Sequence, residues 1–244
     1  MRISAVHGWL IATLLLGAGA RAGSAVPDRP SSWVDPFIGT GGHGHTFPGA
    51  TRPFGMVQLS PDTRLTGWDG CSGYHDDDRV VYGFSHTHLD GTGVSDYGDI
   101  LFMPSTGRLR WENGSVRGVD AGYASRFDKS EERASAGTYH TRLLDTGIDV
   151  DLTATTRVGI HRYDFPRHEL AHVLVDLAHR DEVLDASLRV VGDREIEGHR
   201  RSRAWAQDQV VYFVARFSRP FTASRLRVEG RTSSIHEVDR KSVV

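Results

Sequence analysis

Ile148-Asp149-Val150-Asp151-Leu152-Thr153-Ala154 decides the fold. Ile148, Val150, Leu152 and Ala154 point one way and Asp149, Asp151 and Thr153 the other, the period of two of a strand with one buried face. Working outward, Gly159 marks a bulge or bend before His161-Arg162-Tyr163-Asp164-Phe165, and Ala171, Val173, Val175 and Leu177 alternate again. Val210 to Ala215 is apolar on both faces and reads as a central strand. Upstream, Met56 to Ser60 alternates into a short strand that ends at Pro61-Asp62. Val80 to Phe84 and Ile100 to Met103 are short apolar runs bounded by turn residues. Short, closely spaced strands with few helical stretches predict an all-β chain arranged as a β-sandwich.

The chain has 244 residues, 39% hydrophobic and 25% charged, enough for one substantial domain or two small ones. A formal charge of -2 without a basic block argues against nucleic acid as a partner. Cys71 is the one cysteine, so no intrachain disulfide forms. Arg2, the apolar run Trp9 to Leu16 and the small residues Gly17 to Ala20 follow the order of a secretory signal peptide, assigned to residues 1–25. No later segment reaches membrane-spanning length. The expected product is exported to the periplasm or the extracellular space, with residues 26–33 as a polar leader.

Two dense stretches stand apart from the strands. Gly67-Trp68-Asp69-Gly70-Cys71-Ser72-Gly73-Tyr74-His75 and Phe84 to Asp99 carry glycines too often for a helix and interleave them with Trp, Tyr, His, Asp and Ser. An aromatic plane flanked by a few polar groups suits a sugar. Trp68 is either packed under another domain or offered to a ligand, and Asp69 beside it can accept two hydroxyls. His86-x-His88-x-Asp90 shares one face if extended, which fits a polar sugar cleft or a zinc or iron site. His43-Gly-His45 is a weaker pair of the same kind. Asp76-Asp77-Asp78 lacks the spacing of a calcium loop and reads as a solvated turn. Cys71, without a CxxC partner, is a buried or cleft-lining thiol.

Val34-Asp35-Pro36-Phe37-Ile38-Gly39-Thr40-Gly41-Gly42-His43-Gly44-His45-Thr46-Phe47-Pro48-Gly49-Ala50 resembles the opening of glycoside hydrolase family 92, the calcium-dependent exo-α-mannosidases. Gly67 to His75, Gly83 to Leu89, Thr153 to Gly159 and Arg200-Arg201-Ser202-Arg203-Ala204-Trp205-Ala206 extend the likeness. It implies an N-terminal β-sandwich like the galactose mutarotase fold, over residues 34–221, packed on a C-terminal (α/α)6 barrel. It also implies hydrolysis of α-mannosidic bonds with inversion, calcium as cofactor, and mannose-containing glycans as substrate. By that likeness Trp68 and Asp69 line the subsite for the terminal mannose. His86 and His88 support the same cleft from behind, and Cys71 belongs to the same substrate-binding set. Family members continue for several hundred residues beyond Val244. The general acid, the base and most calcium ligands are therefore expected in that barrel, leaving no catalytic residue and no metal ligand here. Residues 222–244 read as a tail of a truncated or frameshifted product. Two functions are expected to compete: half of an α-mannosidase, inactive alone and prone to self-association, or a free-standing carbohydrate-binding or interaction module.

Overall fold

The computed structural model describes residues 29–168, 170–228 and, as backbone alone, 231–234. The expected signal peptide, the start of the leader and residues 235–244 lie outside the described residues. The strands are β1 (Ala50–Thr51), β2 (Gln58–Asp62), β3 (Val80–Val81), β4 (Gly83–Ser85), β5 (Leu101–Ser105) and β6 (Ser125–Arg126). Then come β7 (Arg133–Ser135), β8 (Thr138–Leu143), β9 (Ile148–Ala154), β10 (Gly159–Asp164) and β11 (His172–Asp176). The last are β12 (Glu182–Val191), β13 (Glu195–Arg203), β14 (Gln209–Arg216), β15 (Arg225–Val228) and β16 (Arg231–Ser234).

The all-β expectation holds, and the sandwich has three layers. The middle is a five-stranded sheet in the order β1-β2-β4-β5-β11. On one side lies the sheet β10-β9-β8-β7, on the other β12-β13-β14. Alternation along β5 shows why the middle sheet needs both covers. Leu101 and Met103 join Leu59, Phe84, Tyr139, Ile148, Val150 and Leu152 in one core, while Phe102 turns to Ala186, Ile196, Val211 and Phe213 in the other. β11 divides likewise, with Leu174 in the first core and Val173 and Val175 against the second. Each fully buried aliphatic side chain contributes about 1.5–3 kcal/mol, so both covers are required for stability.

Two expectations change. Val210 to Ala215 is no central strand: β14 is the outer strand of its sheet, with Val211, Phe213 and Ala215 inward. Val210, Tyr212 and Val214 turn outward and are 43%, 78% and 66% exposed. An apolar run states which side chains dislike water, not whether anything covers them. Gly159 is no bulge; it begins β10, where an added Cβ would lie 2.9 Å from the His86 ring. β2 ends at Pro61-Asp62 as expected, with these two residues still paired to Phe84 and Gly83. Proline is tolerated because β1 reaches only to Leu59, which leaves no ladder partner waiting for its missing N–H.

Candidate functional site

The loops 39–46, 67–75, 86–99, 177–181 and 204–208 converge at one end of the sandwich, and side chains cross-link them. Arg180 donates to the carbonyl oxygens of Gly70 (3.0 Å) and Cys71 (3.4 Å) and to Ser95 Oγ. Arg200 donates to the carbonyls of Leu177, His179 and Arg180 and pairs with Asp99. The Ala206 N–H donates to Asp96 (2.7 Å) and the Gln209 amide to Asp99 (2.6 Å). Among the described residues, the non-glycine positions with positive φ are His45, Tyr97, Ile100, Arg180 and Asp181, all at this end. Such backbone persists only where its surroundings over-determine it, and it gathers at functional sites.

Trp68 and Asp69 stand at the front. They begin a single 3-10 turn, Trp68–Gly70, entered through Gly67 at φ +89°. The Trp68 indole is 61% exposed on one side and rests on Gly93, where an added Cβ would lie 2.0 Å from the ring. A side chain at that position would push the indole off its seat. His45 meets the indole edge-on, ring centroids 4.9 Å apart. His43 Nδ1 lies 2.6 Å from Asp69 Oδ1, and His45 Nε2 lies 3.5 Å from the same oxygen. The bond from His43, with His45 behind it, holds the Asp69 carboxyl below its ordinary range. His45 Nε2 is buried without a hydrogen-bond partner, so this corner is polar and incompletely satisfied.

Cys71 does not face solvent. It is 2% exposed, its thiol donates to the Trp68 carbonyl (2.6 Å), and burial pushes its pKa up. It closes the 3-10 turn and is unsuited to touching a ligand. His88 is 1% exposed and also sits behind the loops. Its Nδ1 donates to the Gln58 carbonyl (2.7 Å), while Nε2 faces Ser85 Oγ at 3.1 Å and Asp62 Oδ1 at 3.3 Å. His179 Nε2 approaches the same Asp62 oxygen at 3.4 Å. Burial alone would raise the Asp62 pKa, but His88 and His179 together hold it well below the usual carboxylate range.

His86 turns elsewhere. Its Nδ1 donates to the Ile100 carbonyl (2.6 Å), and its Nε2 meets His161 Nε2 at 3.0 Å; His161 Nδ1 meets the Tyr163 hydroxyl at 2.7 Å. Burial pushes His86 down to about 4 and His161 well below its ordinary value. The nitrogens of His86 and His88 are thus committed to different partners, and Asp90 is exposed. The three do not converge on one ion. Among the described residues no three His, Cys, Asp or Glu gather to hold a metal. Asp78, in the acidic run, is spent on Arg64 and Thr63, so these residues do not fit calcium.

Asp62, His179, Arg180 and Asp181 escaped sequence reasoning, and Arg200 was quoted in a motif but given no role. Burial, with Asp96 adding to it, pushes Asp181 up to about 6. One signal was available: Arg200 occupies an inward position of β13, two residues after Gly198 and four after Ile196, where alternation demands an apolar side chain.

Comparison with known proteins places this architecture. Residues 33–243 match the glycosyl hydrolase family 92 N-terminal domain, beyond residue 221, where the sandwich was expected to end. A family GH92 α-mannosidase from Bacteroides thetaiotaomicron, solved in complex with mannoimidazole, is 36% identical with a TM-score of 0.81 and covers 87% of this chain. A GH92 inverting mannosidase from the same organism is 25% identical, with a TM-score of 0.70 over 86% of this chain. An uncharacterized secreted glycosidase of Arthroderma benhamiae is 30% identical over 152 residues, 59% of this chain. The chain spans only 28%, 27% and 19% of those three proteins. Among its described residues no helix is long and apolar enough to cross a membrane. On the family match and the three-layered β fold together, the chain belongs to glycoside hydrolase family 92, as its N-terminal domain.

Proposed function

We propose that this domain is the sugar-holding half of an exported α-mannosidase cleft, completed by a C-terminal (α/α)6 barrel that brings the catalytic carboxylates and calcium. The observation that carries this reading is the exposed Trp68 indole beside an ionised Asp69, fixed by His43 and His45. The indole face takes the C–H side of a pyranose, and Asp69 accepts its hydroxyls. His86 and His88 hold the loops from behind. The residues here do not fit calcium, so its ligands are expected from the barrel.

Inverting hydrolysis needs a carboxylic acid and a carboxylate roughly 6.5–9.5 Å apart across the bond. Asp69 is kept ionised by His43, and Asp99 is spent on Arg200, Thr87 and Gln209. The expected outcome is therefore no turnover of an activated α-mannoside by the purified chain with calcium, and turnover when a family 92 barrel is added. In a complete family member, alanine at the positions of Trp68 and Asp69 lowers kcat/KM by about 1–3 kcal/mol each. Turnover by the chain alone, or unchanged kcat/KM in both variants, refutes the proposal.

A further inference from the structure

We infer that Trp205 is a second sugar platform, positioned for the pyranose next to the one held at Trp68. The inference rests on the mannoside reading and extends it to a residue that reading does not use. Trp205 stands in the hairpin between β13 and β14, among the converging loops, and is 65% exposed.

Its hairpin is fixed rather than loose. The Ala204 N–H donates to the Ala206 carbonyl (3.0 Å), and the Gln207 amide donates to the carbonyls of Ala204 (3.1 Å) and Trp205 (3.3 Å). The Ala206 N–H reaches Asp96 in the neighbouring loop. Arg201 holds both oxygens of Asp208, at 2.6 and 2.9 Å, which ties the far side of the turn to β13. A rigid, exposed aromatic plane with polar groups at its margin is the arrangement by which proteins hold pyranose rings. Pre-ordering the turn removes the entropy that stacking would otherwise cost.

Position relative to Trp68 supplies the second argument. Trp68 rests on Gly93, and the hairpin of Trp205 is anchored at Asp96, three residues along the same loop. Three residues of chain span at most about 10 Å, so the two anchor points lie within reach of one disaccharide. The predicted ligand class is an α-linked disaccharide or longer oligosaccharide, with its terminal ring at Trp68 and its following ring at Trp205.

Saturation-transfer NMR on the full chain tests this with two probes, methyl α-mannoside and an α-linked mannobiose. The expected result is transfer to both rings of mannobiose. Trp205→Ala abolishes it for the reducing-end ring and Trp205→Phe retains part of it, while Trp68→Ala abolishes it for the terminal ring. The near-ultraviolet circular dichroism of the Trp205 variants, whose side chain is on the surface, stays that of the folded chain. Transfer to the reducing-end ring that survives Trp205→Ala, or is absent beside normal terminal-ring transfer, overturns the Trp205 assignment and leaves the mannoside reading standing. No transfer to either probe overturns the mannoside reading and this assignment with it.

Discussion

Arg200 is wholly buried, and its guanidinium holds three loop carbonyls together with Asp99. A buried ion pair adds little net stability, but removing one partner strands a charge in a medium that cannot solvate it. Arg200→Met therefore costs about 3–5 kcal/mol in urea unfolding, and adding Asp99→Asn recovers part of that loss. A single-variant cost below about 1 kcal/mol would mean that water reaches Asp99. At this scale the sequence reveals side-chain chemistry but not company. Trp68 and Asp69 stand out because neighbouring glycines isolate them. Arg180 grips Gly70 across more than a hundred residues of chain, and no local pattern records that contact. Cys71 read as either buried or cleft-lining and His88 as supporting the cleft, and the fold decides for burial in both.

The element that couples pH to stability is β10, which carries His161 and Tyr163 inward against His86. The Ile100 carbonyl can only accept, so His86 Nδ1 bears its hydrogen and Nε2 accepts from His161. Protonating either ring sets two N–H groups against each other. Both histidines have folded pKa values below the unfolded value of about 6.5. The unfolded chain thus binds more protons, and their stabilisation is full above pH 6.5 and lost as pH falls through 6.5 toward 4. Asp181 acts in the opposite sense, because a carboxyl raised to about 6 favours the folded state as pH drops from 6 toward 4. Comparing wild type with His161→Gln isolates the histidine pair. The wild type is expected to lose up to about 1.4 kcal/mol more per pH unit than the variant between pH 6.5 and 4.5. Equal slopes in urea titrations across that range would place the pair's protonation outside the window. β9 was legible from alternation alone, whereas the role of Gly159 was not. Its need to be small comes from a histidine seventy-three positions away.

On the scale of the whole molecule, three stacked sheets bury both faces of the middle one and leave β14 with a single neighbour among the described residues. Val210, Tyr212 and Val214 on its outer face are largely exposed, and no proline or lysine interrupts its free edge. An unpaired row of backbone donors and acceptors beside an apolar stripe is a template for another strand. Two copies of β14 can meet antiparallel with Tyr212 opposite Tyr212. Val210 then faces Val214, and Arg216 falls opposite Asp208 of the second copy, all on the outer face since their numbers share parity. Any other register of the same parity loses that charge match. The 244-residue chain is accordingly expected to dimerise with rising concentration in sedimentation equilibrium, more weakly after Tyr212→Lys. Asp208→Arg and Arg216→Asp each weaken the dimer, and combining them restores part of it, because the opposed charges are exchanged while Arg201, which holds Asp208 in its own chain, then meets a second arginine. A monomer at all concentrations, or a double variant no stronger than either single one, would show that the β14 edge does not pair with itself.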